Sequence, residues 1–433
     1  MQNFVYIETF GCAANQNNSE IMRGLLKQAG YELTNNQEIA DIIIINTCIV
    51  KEKTQNKIIS RIKSLPASKL IIVSGCMPET NFKEIQNLNK NLIFLGTHHF
   101  KDIIKLIKDF KENKLTAKQQ LEYLTQRQEE KLILPKISNN KIISIIQITE
   151  GCLGECSYCK VKFAKHKLFS YDENNIIKQA ENDLQQGAKE IWITSQDNAS
   201  YGLDKDNKSK LPELLNKILN LNHRFKLRLG MMNPNNLLPI INEIIEIYKN
   251  PKIYKFLHIP IQSASDKVLA DMKRKYKIKQ VENIINKFKQ EIPDITISTD
   301  IIIGYPTETE QDFQENLKFI KENQINVLNI SRFSNHKELN LNLKPLKKQT
   351  INKRNKEIMS LFRKITQQNK EKYLNKNLKV LINKKLSENL YEARDDNYNL
   401  IIINSEDKSI LGKSIDVNIK QTGVLQMLGK IVN

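Results

Sequence analysis

Apolar positions fall along the chain in three rhythms, and each predicts a different unit. Over residues 1–112, short runs rich in β-branched residues (FVYIETF, ADIIIINTC, KLIIVSGC, NLIFLG) alternate with amphipathic stretches such as NNSEIMRGLLKQAGY. That is the rhythm of a parallel sheet with helices on its faces. Residues 113–137 are dominated by Lys, Gln and Glu with one proline, Pro135, and no periodic apolar pattern, which predicts a partly helical linker. From 138 to 372 the alternation resumes at longer spacing, with strand-like runs KIISIIQIT, EIWITS, FKLRLGM, KFLHIPI, ITISTDIII and INVLNIS. Six βα units predict an open, partial TIM-type barrel. Residues 373–433 carry only short pieces (LKVLINK, YNLIIIN, SIDVNIKQ, VLQMLGKIV), the spacing of a small antiparallel β-barrel. The expected class is therefore α/β with an added all-β tail.

Composition narrows the function. A chain of 433 residues is too long for one ordinary core, in keeping with several domains. No apolar run approaches the ~20 residues of a membrane span, and the opening MQNFVYIETFGC lacks the charged and apolar regions of a signal peptide. A cytoplasmic, monomeric protein with no membrane contact is expected. Six cysteines are too few and too clustered for a disulfide framework, so metal or redox chemistry is the leading reason for them. The net charge of +19 points to a polyanionic partner, of which nucleic acid is the commonest. Lys, Asn and Ile are abundant throughout, so the location of charge says more than its total. The densest basic run, residues 344–372, is either a solvated helix face or, lying between two units, a helix turned toward phosphates.

The stretch ITEGCLGECSYCKVKFAKHK holds Cys152, Cys156 and Cys159 within eight positions, directly after the first barrel strand. Such barrels hold their active sites at the C-terminal ends of their strands. Three thiolates complete three corners of a four-iron cluster and leave one iron open for a small ligand. The other reading is a zinc site completed by His166, although the second distant ligand pair that zinc favours is missing from this segment. Cys12, Cys48 and Cys76 each stand at or just past the end of a predicted strand, with Gly11 and Gly75 directly before two of them. In a parallel sheet those ends share one edge, so the three converge on one crevice. Cysteine is also a frequent core residue, but core thiols have no reason to favour that edge.

The loop spacing, with Tyr158 before the third cysteine, resembles the radical S-adenosylmethionine (SAM) enzymes. The set FGCAANQNNSE, NTCIVKE, SGCMPE, EGCLGECSYCK, TSQDNASYG and IIGYPTETEQDF resembles the methylthiotransferases over nearly the whole chain, and the tail, with NLKVLINK and GKSIDVNIKQ, resembles their TRAM barrel. NTCIVKEKT, LRLGMMNPN and HIPIQSASDKVLADMKRKY are most similar to the archaeal and eukaryotic branch, which acts on N6-threonylcarbamoyladenosine at position 37 of tRNA, beside the anticodon. The alternatives are the branch acting on isopentenyladenosine in tRNA and the one modifying an aspartate of a ribosomal protein. The resemblance implies a residue division into an N-terminal domain (1–112), a linker (113–137), a radical SAM core (138–372) and a TRAM domain (373–433).

It also implies two [4Fe-4S] clusters. The one on Cys152, Cys156 and Cys159 would bind SAM and generate the radical, and the one on Cys12, Cys48 and Cys76 would present sulfur, with two SAM molecules used per product. The implied partners are the anticodon stem-loop of tRNA, a low-potential electron donor such as ferredoxin or flavodoxin, and a sulfur source. Asp197, His258, Gln262, Gly304, Pro306 and Arg332, near strand ends, are candidates with Tyr158 to line the cofactor pocket. Lys379, Lys384, Lys385, Arg394, Lys413 and Lys420 are candidates to hold tRNA. The adjacent His98 and His99 are expected to close the first domain rather than bind metal. One departure stands out. Where the family continues after the last barrel strand with a Pro- and Gly-rich turn, this chain reads SRFSNHKELNLNLKPL.

Overall fold

A segment that is apolar along its whole length has no wet face. Ile42–Thr47 and Leu70–Gly75 are buried from end to end, as central strands of a sheet covered on both sides must be. The computed structural model describes residues 3–89, 91–335, 339, 341 and 343–432. In it β1 (Phe4–Thr9), β2 (Glu32–Leu33), β3 (Ile42–Thr47), β4 (Leu70–Gly75) and β5 (Leu92–Gly96) form a parallel sheet in the order β2-β1-β3-β4-β5. Helices α1 (Ala13–Gln28), α2 (Glu52–Lys63), α3 (Cys76–Ile85) and α4 (Ile103–Lys111) connect and flank it. Strand alternation sends Ile43, Ile45, Ile71 and Val73 into one apolar layer and Ile42, Ile44 and Ile72 into the other.

The segment read as a linker is packed rather than free. Its helix α5 (Ala117–Glu122) starts on a Thr116/Gln119 capping box. The Gln120 amide donates to the Phe94 carbonyl (2.7 Å) and accepts from the Phe94 N–H (3.0 Å), covering the outer edge of β5.

All six anticipated barrel strands are present. They are β6 (Ile143–Gln147), β9 (Glu190–Thr194), β10 (Lys226–Leu229), β11 (Phe256–His258), β12 (Thr296–Ile303) and β13 (Val327–Arg332), while the short β7 (Thr149–Glu150) and β8 (Phe169–Ser170) pair with each other as a separate antiparallel ribbon. Parallel runs β6-β9-β10 and β11-β12-β13 are joined by a Leu227–Ile253 bridge into an open arc. A five-residue helix, α6 (Val161–Lys165), follows the cysteine loop. The basic run becomes the helix Lys348–Glu371, seated on the barrel through Ile358, Phe362 and Ile365, with the buried Arg354 paired to Glu308 at 2.6 Å. The departing stretch after β13 falls partly on residues 336–338, 340 and 342, which lie outside the described residues.

The tail is a closed five-stranded barrel of β14 (Asn377–Lys385), β15 (Leu390–Arg394), β16 (Leu400–Asn404), β17 (Ser414–Thr422) and β18 (Met427–Ile431), in the order β14-β15-β16-β18-β17. Its β16–β18 ladder is parallel and the others antiparallel. The β15–β16 turn docks on the N-terminal ends of the large barrel's strands. There the Lys255 N–H donates to the Asp396 carbonyl (2.7 Å), the Thr296 hydroxyl to the Asn397 carbonyl (2.7 Å), and Asn383 to Glu190 (2.8 Å). Arg228 lies over the rings of Trp192, Phe256 and Tyr398 within 5.2–5.4 Å, sealing that end. Among the described residues no helix is long and apolar enough to cross a membrane.

Candidate active site

The three early cysteines do share an edge. Cys12 caps the N-terminus of α1 just after β1, Cys48 directly follows β3, and Cys76 opens α3 directly after β4. Cys12 is exposed, whereas Cys48 and Cys76 are buried. The loops that carry them are held together by polar side chains. The Asn15 amide donates to the Phe10 (2.7 Å) and Thr47 (2.8 Å) carbonyls, and the Asn46 amide donates to the Asn15 carbonyl (2.8 Å). The Thr47 hydroxyl donates to the Ser74 carbonyl (2.6 Å) and accepts from the Met77 N–H (3.0 Å). Gly11 adopts φ +117°, and a Cβ there would come within 2.8 Å of the Cys48 Cβ. Burial pushes the Cys76 thiol up to about 12, with Cys12 and Cys48 adding to the effect and Lys165 opposing it. Burial likewise raises the Cys48 thiol.

The barrel cysteines stand on a single loop. Gly151 turns it at φ +79°, and a Cβ there would lie 2.0 Å from the Lys167 carbonyl oxygen. The Gly154 N–H donates to the Cys152 sulfur at 3.2 Å, and the ideal Cβ position of Gly154 is 3.3 Å and 3.6 Å from the sulfurs of Cys152 and Cys156. The far side of the loop is pinned by Ser157, which bonds the Met272 and Asp271 carbonyls and the Tyr305 hydroxyl. Burial raises the Cys152 thiol to about 12, helped by Asp197, while Gly154 opposes it.

Arg274 is the cation that sequence reading passed over. Its guanidinium donates to the Cys156 sulfur (3.5 Å), the Asn233 side chain (3.2 Å) and the Pro260 carbonyl (3.0 Å), and its Nε donates to the Tyr276 hydroxyl (2.9 Å). Only its place in DMKRKY, after the HIPIQSAS run, marks it in the sequence. Asp197 is buried beside it, accepting from the Asn233 (2.9 Å) and Ala199 (3.2 Å) N–H groups and from the Asn236 amide (2.7 Å). Burial pushes its carboxyl up to about 6 against those bonds.

The remaining candidates are spread more widely. Tyr158 packs toward Val268, Met272, Ile302 and Tyr305. His258 ends β11 and shares a 2.7 Å bond with Asp300 of β12. Gln262, in the left-handed region at φ +70°, bridges to Ile301. Gly304 accepts no side chain on the side facing Ile351 of the long helix, its N–H donates to Glu308 at 2.8 Å, and Pro306 lies in the turn that follows. Arg332 is exposed at the end of β13. In the tail, Lys379, Lys384, Lys385, Lys413 and Lys420 are exposed. Arg394 differs, its guanidinium paired with Glu392 at 2.8 Å and stacked on Tyr398 at 4.5 Å. His98 and His99 are buried, and their rings bond the Ala164 carbonyl (3.1 Å) and Asp102 (2.9 Å).

Among the described residues no three His, Cys, Asp or Glu side chains are grouped to hold a single metal ion. His166, the ligand considered for zinc, has its ring against that of His98 at 5.5 Å. The two thiol triplets stand at the two ends of α6. Lys162 donates to the Cys156 carbonyl (3.3 Å), while Ala164 packs in the apolar layer that contains Cys48 and Cys76.

Comparison with known proteins accords with this arrangement. The family described as "Uncharacterized protein family UPF0004" matches residues 4–96, and the radical SAM superfamily matches residues 146–320. The probable threonylcarbamoyladenosine tRNA methylthiotransferase of Archaeoglobus fulgidus is 34% identical, with 99% of this chain and 98% of that protein covered. Its counterpart from Pyrococcus horikoshii is 33% identical over 99% of both chains. The Homo sapiens threonylcarbamoyladenosine tRNA methylthiotransferase is 32% identical, covering 99% of this chain and 74% of that one. In fold, the chain resembles the radical SAM methyltransferase TsrM from Kitasatospora setae, with a TM-score of 0.55 at 12% identity over 77% of this chain and 75% of that one. With relatives this similar along nearly the full length of the chain, and with a cysteine triplet in each of its two parallel α/β units, the chain belongs to the threonylcarbamoyladenosine tRNA methylthiotransferase family of radical SAM enzymes.

Proposed function

We propose that the protein converts N6-threonylcarbamoyladenosine at position 37 of tRNA to its 2-methylthio derivative, and that each cysteine triplet holds a [4Fe-4S] cluster. The observation that carries this reading is the placement of all six cysteines at the C-terminal edges of two parallel sheets, joined through α6. The donor sets fit the groups. Each offers three thiols rather than four, which leaves one corner of a four-iron cluster open to a ligand. When bound, the loop cluster with SAM supplies radical chemistry, and the sheet-edge cluster supplies sulfur.

The chain's own residues then have definable tasks. Arg274 sets a guanidinium against the Cys156 sulfur and is itself held by Asn233, placing a fixed positive charge beside that ligand. Asp197, with Asn233 and Asn236, forms a polar wall beside Cys152. Tyr158, His258, Gln262, Gly304, Pro306 and Arg332 complete the surroundings of SAM in this reading. The exposed lysines of β14 and β17, together with Lys413, hold tRNA phosphates, which position the substrate without reading its sequence. A low-potential reductant and a sulfur source complete the turnover, and the protein acts as a monomer built from units 1–112, 138–372 and 373–433.

Mass analysis of tRNA nucleosides from cells with and without the protein tests the reading. Loss of 2-methylthio-N6-threonylcarbamoyladenosine with accumulation of its unthiolated precursor is expected. An unchanged level, or loss of a methylthio-isopentenyl nucleoside instead, would refute it.

A further inference from the structure

One buried carboxylate, Glu150, faces two buried ammoniums. Lys131 meets it with both oxygens at 2.7 and 2.8 Å, and Lys165 meets one oxygen at 2.5 Å, with side chains only 1–3% exposed. The three residues come from the linker, the start of the cysteine loop and the end of α6. Lys131 is also seated over the Phe100 ring at 4.9 Å, and burial lowers its pKa to about 8 despite Glu150, so one carboxylate is shared by two ammoniums. Lys165 is then a second cation with only a shared carboxylate and the Thr97 hydroxyl as partners in this network.

The other titratable groups facing the network do not supply the missing negative charge. Burial holds His98, 3.8 Å from Glu150, neutral by lowering its pKa to about 4. Burial also raises the Glu79 carboxyl to about 8, which leaves it mostly protonated at neutral pH. Tyr171, 3.5 Å from Glu150, is held as the phenol. One positive charge is left in excess in a dry interface, an unfavourable arrangement unless an anion offsets it.

Thiols of the first domain lie against the same helix, α6, that carries Lys165. Cys76 opens the helix on which α6 is packed, and the residue before Lys165, Ala164, shares an apolar layer with Cys48 and Cys76. The Thr97 hydroxyl that holds Lys165 directly follows β5, whose Gly96 pairs with Gly75 of β4, so the ammonium stands at the strand-end edge that carries Cys76.

We propose that Lys165, carried by the barrel, is the buried countercharge of the group held by Cys12, Cys48 and Cys76 in the other domain. It is a positioning residue that makes the anionic state of that site tolerable only when the two domains are docked. The inference rests on the assignment of those three cysteines to one cluster. It adds that their electrostatic partner belongs to the same segment as the SAM-binding cysteines.

The test uses full-length protein carrying Cys152→Ala, Cys156→Ala and Cys159→Ala, reconstituted anaerobically with iron and sulfide so that only the sheet-edge group remains. Iron content and an EPR-monitored redox titration are the readouts. Because a nearby cation favours the more negative redox state, Lys165→Met is expected to lower the midpoint potential and speed iron loss to a chelator several-fold, while Lys165→Arg restores both. Glu150→Gln, which leaves both ammoniums, is expected to raise the potential, and it gives an independent reading of opposite sign should Lys165→Met not fold. Lys131→Met removes a unit of charge from the same network but from the linker rather than from α6, and should lower the potential by clearly less than Lys165→Met. An unmoved potential in Lys165→Met, or in Glu150→Gln where Lys165→Met does not fold, or an equal shift in Lys131→Met, would overturn the proposal. Absence of iron from the parent triple variant would instead overturn the cluster assignment beneath it.

Discussion

The two cysteine sites solve one problem by opposite routes. The barrel site gathers its thiols from a single loop, Cys152 to Cys159, so backbone geometry within a few residues holds it. The sheet-edge site draws one thiol from each of three strand ends, and side-chain bonds from Asn15, Asn46 and Thr47 hold those ends in register. The first is a local structure that the fold supports. The second exists only once a parallel sheet has formed, and its integrity is a property of tertiary packing.

That contrast can be broken from either side. The largest effect is expected from Gly151→Ala, which asks an L-residue to adopt φ +79° with its Cβ 2.0 Å from a backbone oxygen. The loop must rearrange, so iron bound by the barrel site and SAM cleavage should be lost, while the sheet-edge site keeps about half the total iron. Iron analysis beside a 5′-deoxyadenosine assay checks this, and equal loss from both sites would show that they are not independent. Gly154→Ala, with its nearest neighbours at 3.3–3.6 Å, is the mild control.

Thr47→Val should do the reverse. It leaves a buried Met77 N–H and Ser74 carbonyl without their bridge, a loss of about 1–3 kcal/mol. A lower melting temperature, reduced sheet-edge iron and lost methylthio product, with SAM cleavage retained, are expected.

Glu79 sharpens the comparison through pH. Burial raises its carboxyl to about 8 in the folded protein, above an unfolded value of about 4.3. The native state therefore binds more protons between those values, so its stability falls as pH rises through that window. Glu79→Gln keeps an acceptor for the Thr97 N–H (2.9 Å) and removes the titration. The variant should match the parent near pH 4 and exceed it at pH 7 by up to about 3 kcal/mol. Urea melts of the apo-protein at both pH values measure this, and a variant without pH-dependent gain would contradict it.

The smallest effect on the fold is expected from Lys379→Glu, Lys384→Glu and Lys385→Glu together, since all three are exposed. Iron content after reconstitution and the melting temperature should be unchanged. The salt dependence of tRNA binding should flatten by about 2 in the log–log slope. An unaltered slope would remove β14 from the interface.

Legibility followed the same division. The six barrel strands and the cysteine loop were readable because each is a contiguous apolar run or a fixed spacing. β15, Leu390–Arg394, was not, because only Tyr391 and Ala393 of its five residues are buried, and Glu392 and Arg394 interrupt the apolar run. The parallel closure of β16 on β18 has no sequence signal, since register between distant strands is decided by packing. Arg274 and Lys165 escaped notice for a different reason. In a chain with 67 Lys and Arg residues, nothing local distinguishes a buried cation from its exposed neighbours. Arg394 shows the converse, a basic residue in the tail that is occupied internally by Glu392 and Tyr398.

The docking of the tail on the N-terminal ends of the large barrel's strands gives the protein a length. Its eight-residue strand β12 separates that seam from the cysteine edge by roughly 26 Å at the usual rise per residue. If, as proposed, the tail grips the tRNA and the cysteine edge modifies it, the substrate must bridge that span, and the enzyme would gauge it as calipers do. An anticodon arm lengthened by two base pairs should then be held with nearly normal affinity and yet arrive out of step with the chemistry.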